Sequence, residues 1–174
     1  MPSNTLPRYL DLRKLVTAAG EIRGELPLEL LPRLQGLRAE DASCAEVELI
    51  ASLSDEGHRC LTGRVHAILR LQCQRCLEDY DAELEANVAL GLLWSETEAP
   101  GLPKSLDPLV VGTEAYDLYD LLEEELLLAM PIVALHDQAE CGVNLNEHGG
   151  EPVETESTQT KPNPFSVLSE LKKL

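Results

Sequence analysis

The sequence predicts an α+β fold: an antiparallel β meander or partly closed barrel with one packed helix and a C-terminal helix. Three successive runs, Cys44 to Leu53, Arg59 to Cys73 and Tyr80 to Leu90, alternate apolar and polar residues across short connections. That is the pattern of half-buried strands paired in chain order. A later run, Glu114 to Met130, instead repeats its leucines at helical spacing and stops at Pro131. With 174 residues, 44% of them hydrophobic, the chain is long enough for one ordinary core and short for two. The expected organisation is a single α+β domain over 1–146, an acidic disordered spacer over 147–160 and a C-terminal helical motif over 161–174.

Each element follows from local chemistry. Leu6 to Gln35 reads as short helical or turn segments, because Gly20, Gly24, Pro27 and Pro32 interrupt any long helix. In the first strand Ala45, Val47, Leu49, Ala51 and Leu53 face one way, with Glu46 and Glu48 opposite. Asp55-Glu56-Gly57 supplies a turn. The second strand sets Val65, Ala67, Leu69 and Leu71 against Arg64, His66, Arg70 and Gln72, and the third sets Tyr80, Ala82, Leu84, Ala86 and Val88 against Asp81, Glu83 and Glu85. Ser95 to Pro108 is a loop, with a short strand expected at Leu109 to Val111. On the helix Leu118, Leu121, Leu122 and Leu126 make the buried stripe, and Asp117, Asp120, Glu123 and Glu124 the wet one. Beyond Glu147 to Thr160, which has almost no apolar residues, Asn163-Pro164 resembles an N-cap followed by proline at the first helical position.

Charge narrows the possible partners. The net charge of −17 is unevenly spread: residues 1–76 hold 10 basic and 10 acidic side chains, whereas residues 77–160 hold 20 acidic ones and a single base, Lys104. Lysines and arginines drive nucleic-acid affinity by releasing counterions, so the middle of this chain should repel a polyanion. Neither DNA nor a membrane is expected as a partner. No run approaches the roughly 18 apolar residues of a membrane span, and Met1 to Gly20 lacks the features of a secretory signal. Five cysteines, an odd number, fit reduced thiols or a metal site better than a disulfide scaffold. A cytoplasmic location is expected.

Signatures of catalysis are missing. There is no G-x-G-x-x-G, no phosphate loop, no H-E-x-x-H and no G-x-S-x-G. Glu123-Glu124-Glu125 reads as a solvated helix face, so the chain is expected not to be an enzyme. The sharpest local feature is Cys73-Gln74-Arg75-Cys76, in the connection between two strands. Two thiolates at this spacing can turn toward one metal ion, and a tetrahedral zinc site would take His136 and Cys141 as its other ligands. The alternative is that small cysteines simply pack in a reducing compartment.

Two further features bear on binding. Arg64 and Arg70, with His66, share a strand face and lead to Arg75, so they could line a phosphate-contacting strip. Equally, Glu83 and Glu85 could neutralise them across the hairpin. The tip, with Lys161, Asn163, Phe165, Lys172 and Lys173, could dock into a partner groove or on RNA, or fold back over its own sheet.

Taken together, Cys73-Gln74-Arg75-Cys76 before an acidic alternating strand, the run Asp117 to Pro131, His136-Asp137, Cys141 and the segment Lys161-Pro162-Asn163-Pro164-Phe165 with Leu168 resemble the bacterial YceD family of large ribosomal RNA subunit accumulation proteins. The resemblance extends in order from about Leu6 to the terminus. It implies a role in the synthesis, processing or stability of 23S rRNA and in large-subunit biogenesis, without catalytic activity. Some members carry additional cysteines after the helix, where this chain has Cys141 with His136 nearby. The implied partner is 23S rRNA or a pre-ribosomal particle, reached directly or through a protein.

Three readings follow. An assembly factor would contact rRNA or a ribosome-associated protein through Arg64, Arg70, Arg75 and the C-terminal tip. An acidic adaptor would instead hold a basic client, a ribosomal protein or a ribonuclease, and affect rRNA indirectly. A metal-dependent enzyme is the third, although four protein ligands leave no open position for water.

Overall fold

The alternating runs become the middle of a five-stranded sheet. In the computed structural model, which describes residues 5–39 and 42–143, the compact unit Met1–Gly142 contains all of the elements. In chain order these are β1 (Tyr9–Leu10), α1 (Leu12–Thr17), β2 (Glu21–Pro27), β3 (Cys44–Leu53), β4 (Arg59–Gln72), β5 (Asp79–Leu93), β6 (Asp107–Val110), β7 (Tyr116–Asp117) and α2 (Leu118–Ala129). The main sheet runs β2-β3-β4-β5-β6, and β1 pairs with β7 in a separate ribbon. Strands β3 to β5 form the expected antiparallel meander, which β2 extends by a further antiparallel strand, while β6 is parallel to β5. The sheet is open, not closed into a barrel.

Two expectations about the elements change. Glu21–Pro27 is a strand, not a turn segment. Its alternation is carried by Ile22 and Leu26, both buried. Pro27 is tolerated because it ends an edge strand, where a missing N–H costs no ladder bond. The helix also begins later than its leucine period suggests. Asp117 accepts hydrogen bonds from the N–H groups of Tyr119 and Asp120 at 3.1 and 3.4 Å, and so caps α2. Tyr116 and Asp117 themselves pair with Leu10 and Tyr9.

The core lies between one face of the sheet and α1 and α2. Val47, Leu49, Val65, Leu69, Leu84 and Val88 point inward, with β3 meeting α1 and with β4 and β5 meeting α2, which adds Leu118, Leu122 and Leu126 to the same core. Each such side chain contributes roughly 1.5–3 kcal/mol when fully buried. One residue expected on the wet stripe is not there. Glu123 is 1% exposed, because Arg33 reaches over the helix and donates to it from both its backbone N–H, at 2.7 Å, and its Nε, at 2.9 Å. A buried carboxylate is tolerated only when its lone pairs are satisfied in this way. The outer face of the sheet stays wet and bears Glu46, Glu48, Arg64, His66, Asp81, Glu83 and Glu85. The spacer expected over 147–160 and the helical motif expected over 161–174 lie outside the described residues.

Candidate metal centre

Cys73-Gln74-Arg75-Cys76 makes the turn between β4 and β5. The turn is closed by the Cys73 N–H donating to the Glu78 carbonyl at 2.9 Å and by the Leu77 N–H donating to the Cys73 carbonyl at 2.8 Å. This places Leu77 in the left-handed region, at φ +65°, with its side chain 68% exposed. A residue with a Cβ loses about 1–2 kcal/mol there relative to glycine. Leu77→Gly should therefore raise stability by about 1 kcal/mol in urea unfolding. A loss of stability would mean that the leucine side chain contributes more than its backbone costs.

The other two ligand candidates arrive from the far side of α2. Met130 leaves the helix in an extended conformation, Pro131 prevents its resumption, and the chain turns back across the hairpin. There the Gln74 N–H donates to the Ala134 carbonyl at 2.9 Å. His136 and Cys141 follow, so that the donor atoms of Cys73, Cys76, His136 and Cys141 all lie within 4.8 Å of one another. The Cys76 Sγ is 3.1 Å from the His136 Nε2. Zinc held by sulfur at about 2.3 Å needs sulfurs roughly 3.8 Å apart, so the four can close on one ion with small movements. The set is borderline-soft, with three thiols and one imidazole, which matches zinc and suits calcium or magnesium poorly.

The surroundings favour one thiolate, that of Cys73. Burial opposes ionisation of Cys73, yet the backbone N–H groups of Cys76, Arg75 and His136 outweigh it and bring this thiol down to about 6. For Cys76 the backbone at Glu78 favours the thiolate, but burial and the adjoining Cys73 and Cys141 leave it raised. One anionic sulfur beside a reluctant second is the state expected of a thiol cluster before a cation neutralises it. Arg75 belongs to this centre: its Nε donates to the Cys141 Sγ at 2.9 Å and its Nη2 to the His136 carbonyl at 3.0 Å. The Tyr80 ring packs 5.3 Å from the His136 ring. These contacts orient the ligands from outside.

The remaining candidates are dispersed. Arg64 pairs with Glu48 on β3 at 2.9 Å, and Arg70 with Asp81 on β5 at 2.9 Å. Neither meets Glu83 or Glu85, which have no ion-pair partner among the described residues. Lys161, Asn163, Phe165, Lys172 and Lys173 lie outside the described residues. A groove of about 640 Å³ that no sequence pattern announced as a whole lies beside the candidate metal centre, between β5 and the segment after α2, lined by Glu83, Glu85, Leu135, His136, Asp137 and Glu140. Its signal was available as the acidic residues on the outer face of β5, but not the strand that fails to cover them.

A family profile described as large ribosomal RNA subunit accumulation protein YceD matches residues 61–172, well over half of the chain. The chain belongs to the YceD family. A YceD protein from Haemophilus influenzae, itself described as a large ribosomal RNA subunit accumulation protein, is 33% identical over 170 residues, 96% of each chain. All four metal-ligand candidates fall inside the stretch shared with YceD. No solved structure matches the chain. Among the described residues no helix is long and apolar enough to cross a membrane.

Proposed function

We propose that this chain supports the accumulation of 23S rRNA as a non-catalytic, cytoplasmic binding factor in large-subunit assembly, and that it does so mainly by holding a basic protein partner. Membership of the YceD family supports the first part. The second is carried by one observation: the arginines of the expected phosphate strip are already engaged. Arg64 and Arg70 face carboxylates, and Arg75 faces the metal centre. Other bases are also committed, with Arg8 on Asp117 and Arg33 on Glu123, while Arg13 and Arg59 lie over the Trp94 ring at 4.4 and 4.3 Å. A phosphate would have to displace those partners, whereas a cationic protein segment meets open carboxylates.

The centre at Cys73, Cys76, His136 and Cys141 supports a structural zinc in this reading. With four protein ligands it leaves no position for a reacting water, and its effect is to tie the segment after α2 to the β4–β5 hairpin. Reduced thiols of this kind also suit the cytoplasm. Affinity capture from a cell lysate tests the choice of partner. The principal partner should be retained after complete ribonuclease digestion and released by added salt, as an exposed ionic interface requires. Loss of every partner on digestion would return the advantage to direct rRNA contact, with Arg64, Arg70 and the tip residues Lys161, Asn163, Phe165, Lys172 and Lys173 as its residues.

A further inference from the structure

Strand β5 is long, and over most of its length one edge is open among the described residues. Its partner β4 runs along one side from Asp79 to Gly91. On the other side β6 pairs only with Leu90–Leu93, so among the described residues no strand covers Asp79–Ala89. In a strand alternate residues direct their N–H and C=O groups to opposite edges, so every second residue of that stretch presents a donor and an acceptor that no described strand pairs. The groove described above runs along this edge, with Pro131, Leu135, His136, Asp137 and Glu140 as its opposite wall.

We propose that this groove receives an extended cationic peptide segment of a partner protein, which adds to β5 as a strand and alternates lysine or arginine with apolar residues. This rests on the protein-binding reading above and names the site and chemistry of that partner. The alternation follows from the pleat. Residues of an added strand that point to the outer face would stand beside Asp81, Glu83 and Glu85, all exposed, and would be stabilised there by positive charge. Residues pointing the other way would meet Ala82, Leu84, Pro131 and Leu135, which favour apolar side chains. Asp137 and Glu140 on the opposite wall add negative charge without an ion-pair partner among the described residues. From Tyr80 to Glu85 the groove is about 20 Å long at roughly 3.4 Å per residue, room for about six residues. A second copy of this chain fits poorly, because β5 against β5 would place these carboxylates beside their own kind. An RNA strand would meet the same repulsion and could not complete the ladder.

The test uses purified full-length protein and a defined probe, an acetylated, fluorescein-labelled hexapeptide of alternating lysine and valine. Fluorescence anisotropy should report saturable binding, and amide exchange should slow at Tyr80 to Glu85. Methylating the alternate backbone nitrogens that face β5 should abolish binding without changing peptide charge. The double variant Glu83→Lys/Glu85→Lys should weaken binding about tenfold or more, while Glu25→Lys/Glu46→Lys, an equal charge change at the far edge of the sheet, should alter it less than about twofold. Equal losses in the two variants, unimpaired binding of the methylated peptide, or protection confined to other strands would overturn the proposal. So would a single-stranded RNA oligonucleotide that protects the same amides more tightly than the peptide. Probe binding is independent of the lysate capture. If the probe binds while every cellular partner is lost to ribonuclease, the protein-binding reading fails and the groove stands. If a ribonuclease-resistant partner is found while the probe fails, the groove alone fails.

Discussion

Removing the zinc proposed for Cys73, Cys76, His136 and Cys141 is expected to lower the melting temperature by on the order of 10 °C and to open the segment from Pro131 to Cys141 to proteolysis. The size of the effect follows from how little else holds that segment. Ile132 is 98% exposed and Val133 53%, so the first buries almost nothing and the second only about half of its surface. Its cross-chain backbone hydrogen bond is the Gln74 N–H to the Ala134 carbonyl, and its others are internal, from Glu140 and Cys141 to the Asp137 carbonyl. Apart from the ligands the segment is held by Ala134, by the Arg75 contacts to His136 and Cys141 and by that one backbone bond, and because the Arg75 contacts fall on the ligand residues themselves, releasing the ligands loosens most of its anchorage. Calorimetry with and without a strong chelator, alongside elemental analysis finding one zinc per chain, checks this. Cys76→Ser should reproduce the chelated state, while Cys44→Ser, outside the cluster, should leave the melting temperature near that of the parent. A protein that contains no zinc as purified and melts identically with chelator would remove the basis for a metal centre.

The clustering of Cys73, Cys76, His136 and Cys141 was legible because a zinc site would need few residue types. Once Cys73 and Cys76 stand with two residues between them in a hairpin connection, His136 and Cys141 are the good donors on the segment just after the helix stop at Pro131. The three central strands were equally legible, since alternation reports directly which side chains are buried. What alternation does not carry is the identity of the neighbouring strand. Arg64 faces β3 and β5 at once, opposite Glu48 and Asn87, and its ion pair falls on Glu48. The parallel placement of β6 depends on a connection that crosses back over β5, where Leu102 packs on Gly91, and no local period encodes it. Strand β2 was hidden because Gly24 and Pro27 read as breakers in a segment only seven residues long. Glu123 was misread for the same physical reason as the arginines: the partner that makes its burial tolerable, Arg33, is 90 residues away.

Gly63→Ala is expected to destabilise the protein by about 3–5 kcal/mol, near the upper end for a single substitution. Gly63 sits inside β4, opposite Leu49 on one side and Val88 on the other, with φ at +152°. A Cβ there would lie 2.0 Å from the Glu48 carbonyl oxygen and 2.9 Å from the Leu49 Cα. Both are backbone atoms of a central strand, so relief requires β3 and β4 to separate and not merely a side chain to rotate. The unfavourable dihedral would add to the clash, because an L-residue is strained in this region even where space exists. A glycine interrupting an otherwise regular alternating run is the sequence sign of such close backbone approach. Urea unfolding of Gly63→Ala beside Gly36→Ala separates this cause from a general effect of replacing glycine. At Gly36 an added Cβ meets nothing within 4 Å, and the change should fall within about 0.5 kcal/mol of zero. Similar stabilities for the two variants would mean that β3 and β4 can move apart at little cost, and that the meander is looser at its centre than its buried leucines imply.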